Sequence, residues 1–187
     1  MSRVSRFCSL LTAHWPIYDS RFTIYYSRPS MTLNLFRFLQ LLTAGLYTGL
    51  LFADRIGVTP VRPQLPASSF VLYQQQVHIR FVILMPILLF TSLLTGLISL
   101  FLLRRELRTK TFLFTAVATL CTLIVFVLTR AVNVPINEAL MTWQVASPPP
   151  NVVELWSPWE QIHTIRTIVS LVGFSSLILA VLGRQRA

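Results

Sequence analysis

The chain has 187 residues, enough for one ordinary domain. Hydrophobic residues make up 54% and charged residues only 12%, against about 25% charged in a typical soluble protein, so a water-covered surface is excluded. The net charge of +10 would suggest nucleic acid in a soluble domain. Here most cations lie in the N-terminal arm or beside hydrophobic runs, where they orient a chain in a bilayer, and nucleic acid is not expected as a partner. The two cysteines, Cys8 and Cys121, form no C-x-x-C pair. That tells against a membrane thiol oxidoreductase, which exchanges disulfides through paired thiols. The histidines, His14, His78 and His163, lack metal-ligand spacing, and no metal site is expected.

Residues 1–30 carry four Arg, six Ser and one acid ahead of Met31. Such a leader can be an organellar transit peptide, the product of a start codon called too early with Met31 the true start, or a cytoplasmic arm. The first hydrophobic run, Phe38–Ala53, has 16 residues and is short for a hydrocarbon core of about 30 Å; Arg37 and Arg55 can snorkel to extend it. The second, Phe81–Leu103, has 23 residues, 16 of them Leu, Ile, Phe or Val. At about −0.3 to −0.6 kcal/mol each near mid-bilayer, these favour insertion strongly. Thr111–Thr129 and Thr167–Gly183 follow, both without charge. With their flanking turns the spans cover about 35–54, 81–103, 111–129 and 164–183. Small residues recur at packing intervals: Gly45 and Gly49; Ser92, Gly96 and Ser99; Gly173, Ser176 and Ala180.

The link Arg104–Lys110 carries four cations in seven residues. It is short enough to make its flanking spans antiparallel and basic enough to stay cytoplasmic. Both termini then lie inside and the two long loops outside. The long loop reads Arg130-Ala-Val-Asn133-Val-Pro135-Ile-Asn137 and runs on to Trp143. Pro135 either kinks the end of the third helix or starts a new one. If the helix kinks, Arg130, Asn133 and Asn137 share a face; Ile136, Leu140 and Trp143 line another, as on a helix resting at the interface. After Ser147-Pro-Pro-Pro-Asn151, Ser157-Pro-Trp-Glu160 reads as a capping box opening the fourth helix. That helix then carries Trp159, His163 and Arg166 near one face. Ser68 or Ser69 can cap an early start to helix two, with Gln74 and His78 one turn apart above Phe81 and Met85. Each of these groups could also be an interfacial anchor, with Trp in the aromatic belt and Arg on lipid phosphate. If they converge, amides, imidazoles and a guanidinium over an apolar floor suit a flat, partly polar, membrane-soluble ligand.

Asn133-Val-Pro-Ile-Asn137, then Trp143, then Trp159…His163-x-x-Arg166-Thr167 resembles the anthrone-oxygenase-like family of small four-helix membrane proteins, and Ala44-Gly45-Leu-Tyr47 and Tyr73-Gln-Gln fit it too. The similarity covers about Leu33 to Leu182. The resemblance implies oxidation of anthrones to anthraquinones by dioxygen without metal or flavin. Removing a proton from the acidic CH₂ of an anthrone leaves an electron-rich enolate, which needs a base, donors to its oxygen and an apolar slot. His163 is the candidate base and Arg166 its partner in catalysis. Asn133, Asn137, Trp143, Trp159, Gln74 and His78 are candidate binding residues. No nucleotide motif calls for a cofactor. The expected architecture is an all-α, polytopic membrane protein: a four-transmembrane-helix bundle over 31–187, with an extra interfacial helix in the long outer loop. The expected partners are the lipid bilayer, an apolar aromatic small molecule and dioxygen; the oligomeric state is left open. The rival reading is a non-catalytic membrane protein binding a lipid, quinone or partner helix through the same face; a transporter is disfavoured by the lack of intramembrane acids.

Cysteine scanning in intact cells, with Cys8 and Cys121 replaced, tests the orientation. An impermeant thiol reagent added outside should label Val145→Cys and spare Arg108→Cys; the reverse pattern overturns it.

Overall fold

In the computed structural model the described residues are 31–183; the expectations for residues 1–30 lie outside them. Helix α1 spans Met31–Ala53, α2 Ala67–Leu102, α3 Lys110–Leu128, α4 Val134–Thr142 and α5 Val152–Leu182. At about 1.5 Å per residue, the 36 residues of α2 and the 31 of α5 reach about 54 and 46 Å. Both exceed the hydrocarbon core of about 30 Å, so each projects well beyond it. The described residues are all-α apart from turns, with four helical stretches long and apolar enough to cross a bilayer.

Their packing inverts the polarity of a soluble bundle. Leu35, Phe38, Leu42 and Leu46 of α1 face outward, as do Ile83, Ile87, Phe90 and Leu97 of α2 and Ile168 and Val172 of α5. Inside, hydroxyls and small residues lie beside an apolar cluster that includes Tyr47, Leu51, Leu88, Leu89, Val125 and Leu177. Thr111, Thr115, Thr119 and Thr122 form a buried stripe along α3. Thr115, Thr119 and Thr122 each donate to the carbonyl four residues back, at 2.8, 2.8 and 3.1 Å. A hydroxyl satisfied by its own helix can face a neighbouring helix without an unpaired group in lipid. Tyr47 Oη meets Thr122 Oγ1 at 3.0 Å, and Gln40 Nε2 donates to Thr119 Oγ1 at 3.3 Å, fixing α1 against α3.

The chain runs up and down. Near the start of α1, Arg37 Nη2 donates to Ala180 O at the end of α5, 3.3 Å away; at the opposite end, Asp54 meets His163. Arg37 is thus buried in the bundle, not snorkelling outward as the sequence suggested. The Arg104–Lys110 link is a tight connection: Thr109 Oγ1 accepts from the Phe112 amide at 3.2 Å and caps α3.

Three further expectations change. The separate interfacial helix is absent among the described residues. α4 prolongs α3 through a π turn, Thr129–Asn133, closed by the Val134 amide on Thr129 O. Pro135 explains the turn: it lacks an N–H and its ring would clash with the carbonyl four residues back, and the wider turn relieves both. The extra residue breaks the expected register, so Asn133 is buried while Arg130 is exposed. The capping box does not form. α5 begins at Val152, leaving Pro158 inside the helix, and the Glu160 side chain turns to other partners. Helix α2 starts early, as expected, but with Pro66 rather than a serine at its cap position.

The small residues sort by contact. A Cβ added to Gly96 would sit 2.6 Å from both Gln40 Nε2 and Thr119 Oγ1; at Gly173 it would meet Cys121 Cβ at 2.8 Å. At Gly45 it would lie 3.1 Å from the Phe174 ring, and at Gly49 it meets nothing. The Gly45–Gly49 pair therefore packs at one position only. Gly173→Leu should lower thermal stability in detergent, by about 1–3 kcal/mol for overpacking, whereas Gly49→Leu should leave it unchanged. Equal melting temperatures for the two would place the Gly173 face toward lipid.

Candidate functional site

The end of the bundle opposite the Arg104–Lys110 link is closed by a cap. Phe70, Val71, Leu140, Val152 and Trp156 are its buried residues, with Leu65, Ile136, Trp143 and Trp159 packed around them. Gln75 Nε2 donates to Leu140 O and Trp143 O, 3.0 and 2.9 Å away. It thereby satisfies Trp143 O, adds a second hydrogen bond at Leu140 O, which already accepts the Trp143 amide, and fastens α2 to α4.

Beneath this cap is a cavity of about 190 Å³. Leu50 and Leu51 of α1 and Phe81, Val82 and Met85 of α2 give it apolar walls. Its polar lining comes from Asp54 and Arg62 just after α1, Gln74 and His78 of α2, Asn133 and Asn137 at and after the π turn that follows α3, and His163 and Arg166 of α5. Seven of the eight residues expected from sequence line it: His163, Arg166, Asn133, Asn137, Trp159, Gln74 and His78. Trp143 does not; its ring belongs to the cap.

Around this cavity the side chains form one connected network. Asp54 stands where α1 widens into a π turn, Asp54–Val58, and pairs with the Arg62 guanidinium. Arg62 Nη1 also donates to Glu160 Oε1 at 2.6 Å and Nε to Gln74 Oε1 at 3.2 Å. Thr59 Oγ1 and Trp156 Nε1 supply two more hydrogen bonds to Glu160, at 3.2 and 3.1 Å. On the other side, His163 Nε2 lies 3.0 Å from Asp54 Oδ2. Arg166 Nη2 is 3.3 Å from His163 Nδ1, and its Nη1 donates to Thr129 Oγ1 at 2.9 Å. The two guanidinium charges balance the two carboxylates when His163 is neutral.

Aromatic rings hold the imidazole flat. Phe70 meets Trp156 edge-on at 5.7 Å, Trp156 stacks on Trp159 at 4.7 Å, and Trp159 stacks on His163 at 4.8 Å. Arg62 and Arg166 both lie over the Trp159 ring, 5.1 and 5.7 Å from its centre. Five buried polar atoms at the cavity have no hydrogen-bond partner: the donors Trp159 Nε1 and Arg166 Nε, the acceptor Asn133 Oδ1, and the facing atoms His163 Nε2 and Asp54 Oδ2, which lie 3.0 Å apart without the alignment of a hydrogen bond. Each of the first three costs about 1–3 kcal/mol, a cost that a ligand oxygen or hydroxyl would offset. No group of three or more His, Cys, Asp or Glu suited to a metal ion occurs among the described residues.

Asp54, Arg62, Trp156 and Glu160 were not among the residues singled out. Asp54 and Arg62 read as ordinary charges of an outer loop, and Glu160 as a cap. A signal did exist: acids number six in the whole chain, and one beside an apolar span is expensive unless it has a role.

Fold and site together define a small all-α protein of four bilayer-length helices, enclosing a polar-and-aromatic cavity near one end. The chain belongs to the anthrone oxygenase family, whose family model, described as Anthrone oxygenase, matches residues 73–176. That stretch holds all eight expected site residues and leaves out Asp54 and Arg62. No curated protein and no solved structure matches the chain.

Arg62 is 2% exposed, with both carboxylates depending on it. Arg62→Ala should cost about 3–5 kcal/mol, the range for removing one partner of a buried pair. Arg130→Ala, on the exposed side of the π turn, should stay within about 0.5 kcal/mol. Denaturation in detergent compares them, and equal stability would mean that the Arg62 network contributes nothing to folding.

Proposed function

We propose that this protein is a membrane-bound, cofactor-independent oxygenase acting on anthrone-like polycyclic phenols. The observation that carries the reading is that the unpaired atoms at the cavity include two buried N–H donors and one carbonyl acceptor, beside an imidazole and over apolar walls. A fused-ring ketone bearing a phenolic hydroxyl presents the complement: an oxygen for Trp159 Nε1 and Arg166 Nε, a hydroxyl for Asn133 Oδ1. Its rings suit the apolar walls formed by Leu51, Phe81 and Met85. Gln74, His78 and Asn137 complete the polar lining and orient further substituents. Trp143 supports the cap and acts at one remove.

The chemistry follows. His163 takes a proton from the CH₂ opposite the ketone, and the electron pair moves onto the ketone oxygen, where Arg166 stabilises it. The enolate carbon gives its electrons to dioxygen, which dissolves readily in lipid, and a carbon-bound hydroperoxide forms. Loss of the second hydrogen on that carbon, with cleavage of the O–O bond, releases water and leaves a second ketone. The sum is one CH₂ and O₂ giving one C=O and H₂O, with dioxygen the only oxidant. With the Arg104–Lys110 link and both termini cytoplasmic, the cavity opens in the outer half of the membrane.

Oxygen uptake by the purified protein with anthrone-type substrates is the test. The wild type should consume oxygen and anthrone in equal amounts. His163→Ala and Arg166→Ala should each lose about 10²–10⁴ in rate while remaining folded. The double variant should lose less than the product of the two, as groups acting together do. Full uptake by both single variants would move the chemistry elsewhere. Tight binding of a quinone, with no uptake across anthrone substrates, would favour a non-catalytic binder.

A further inference from the structure

His163 is placed in a way that a free base is not. Arginine has only donors, so Arg166 Nη2, 3.3 Å from Nδ1, requires a lone pair on Nδ1. The ring proton is then on Nε2, which faces Asp54 Oδ2 at 3.0 Å. A doubly protonated ring would set an N–H against a guanidinium. A ring protonated at Nδ1 alone would do the same and would also face the carboxylate with a lone pair. Of the three protonation states, one fits the surroundings. In that state Nε2 carries its proton toward the Asp54 carboxylate and Arg166 takes the Nδ1 lone pair, so the imidazole has no lone pair to offer a substrate.

We propose that Asp54, His163 and Arg166 form a self-masked base: Asp54 locks the tautomer, Arg166 covers the Nδ1 lone pair, and an arriving ligand oxygen draws Arg166 off it. The proposal rests on His163 being the base of the reaction above. Arg166 is suited to the exchange because it is buried and tethered at Thr129 by Nη1, while its Nε–H has no partner. A carbonyl oxygen in the cavity gives that N–H a place, and the guanidinium need only pivot about the Thr129 contact to release Nδ1. The C–H bond then breaks toward Nδ1, an N–H forms there, and the charge left on the ketone oxygen stays beside Arg166. Asp54 itself takes no proton. It is a positioning residue, and it keeps its direction because Arg62 binds its other oxygen while Glu160 and Gln74 hold Arg62. Among the described residues, the ionised groups around the ring are thus Asp54, Arg62, Glu160 and Arg166. The imidazole is also fixed by its stack on Trp159, within 21° of parallel. A base that is bare only when a ligand oxygen is in place would keep the site inactive toward apolar molecules that lack that oxygen.

Nitrogen-15 NMR of the histidine-labelled full chain in lipid nanodiscs reads the tautomer without turnover, with His163 assigned from the signals lost in His163→Gln. The expected resting spectrum has an unprotonated Nδ1 and a protonated Nε2. Adding a dihydroxyanthraquinone, a product-like probe that does not react, should shift the Nδ1 signal, and Arg166→Met should shift it without any probe. Asp54→Asn should yield mixed tautomers and lose about 10²–10⁴ in kcat with KM little changed, and Asp54→Glu should recover part of both. Protonation of Nδ1 in the resting wild type, or an Nδ1 signal indifferent to both the probe and Arg166→Met, would overturn the proposal. Those are spectroscopic outcomes. Absent oxygen uptake in a protein with the expected spectrum would instead sink the oxygenase reading.

Discussion

The Arg62 guanidinium is the tie on which the site depends. It comes from the short connection between α1 and α2, yet binds Asp54 at the end of α1, Gln74 on α2 and Glu160 on α5. With its face over Trp159, it also sets the ring on which His163 stacks. A cation buried to this degree is costly unless every donor has a partner, and here two carboxylates, an amide and a threonine hydroxyl supply them. The connection is thereby held down on the bundle, and Asp54 is held facing His163. Without this tie, residues 54–66 would have few reasons to close over the cavity.

Below the site, stability comes from a different source. Lipid gives helices no hydrophobic reason to associate, so close packing and internal hydrogen bonds carry the load. Glycine at 96 and 173 lets α2 and α5 approach α3 to distances a larger side chain would block. Thr43, Thr95, Thr115, Thr119, Thr122 and Thr167 donate their hydroxyls to carbonyls of their own helices, while Thr48 reaches across to Ser170 O. At the other end the arrangement is reversed: ionic groups and aromatic rings crowd beneath the cap, and the α3–α4 column bends at a π turn to reach over them. Rigid packing through the bilayer thus supports a polar chamber at one end, an arrangement that suits precise placement of reacting groups.

Much of this was legible in the residues. Hydropathy is additive along a chain, so four long apolar segments and their alternating direction follow from composition and from the short basic link. Five of the seven expected residues that line the cavity come from N-x-P-x-N and W…H-x-x-R, and Gln74 and His78, one turn apart on α2, supply the other two. Both capping signals misled, since Pro158 and the serines near Pro66 are local cues that longer helices overran. Trp143 was misplaced because the helix carrying it continues α3 instead of resting apart, which turns its ring into the cap.

By itself, then, the sequence determined the membrane class, the number of long helices, their small-residue faces and the two motifs at the site. Only the tertiary structure decided that Asp54 faces His163 with Arg62 and Glu160 behind it, that Arg37 points inward, and that Arg166 lies against the imidazole Nδ1. The physical reason is rotational. In a bilayer a helix can present apolar residues to lipid and to its neighbours alike, so hydropathy sets where a helix lies without setting how it is turned about its axis. Partners such as Asp54 and His163, more than a hundred residues apart, meet only when that turn is settled for several helices at once, by glycine contacts, π turns and a buried guanidinium.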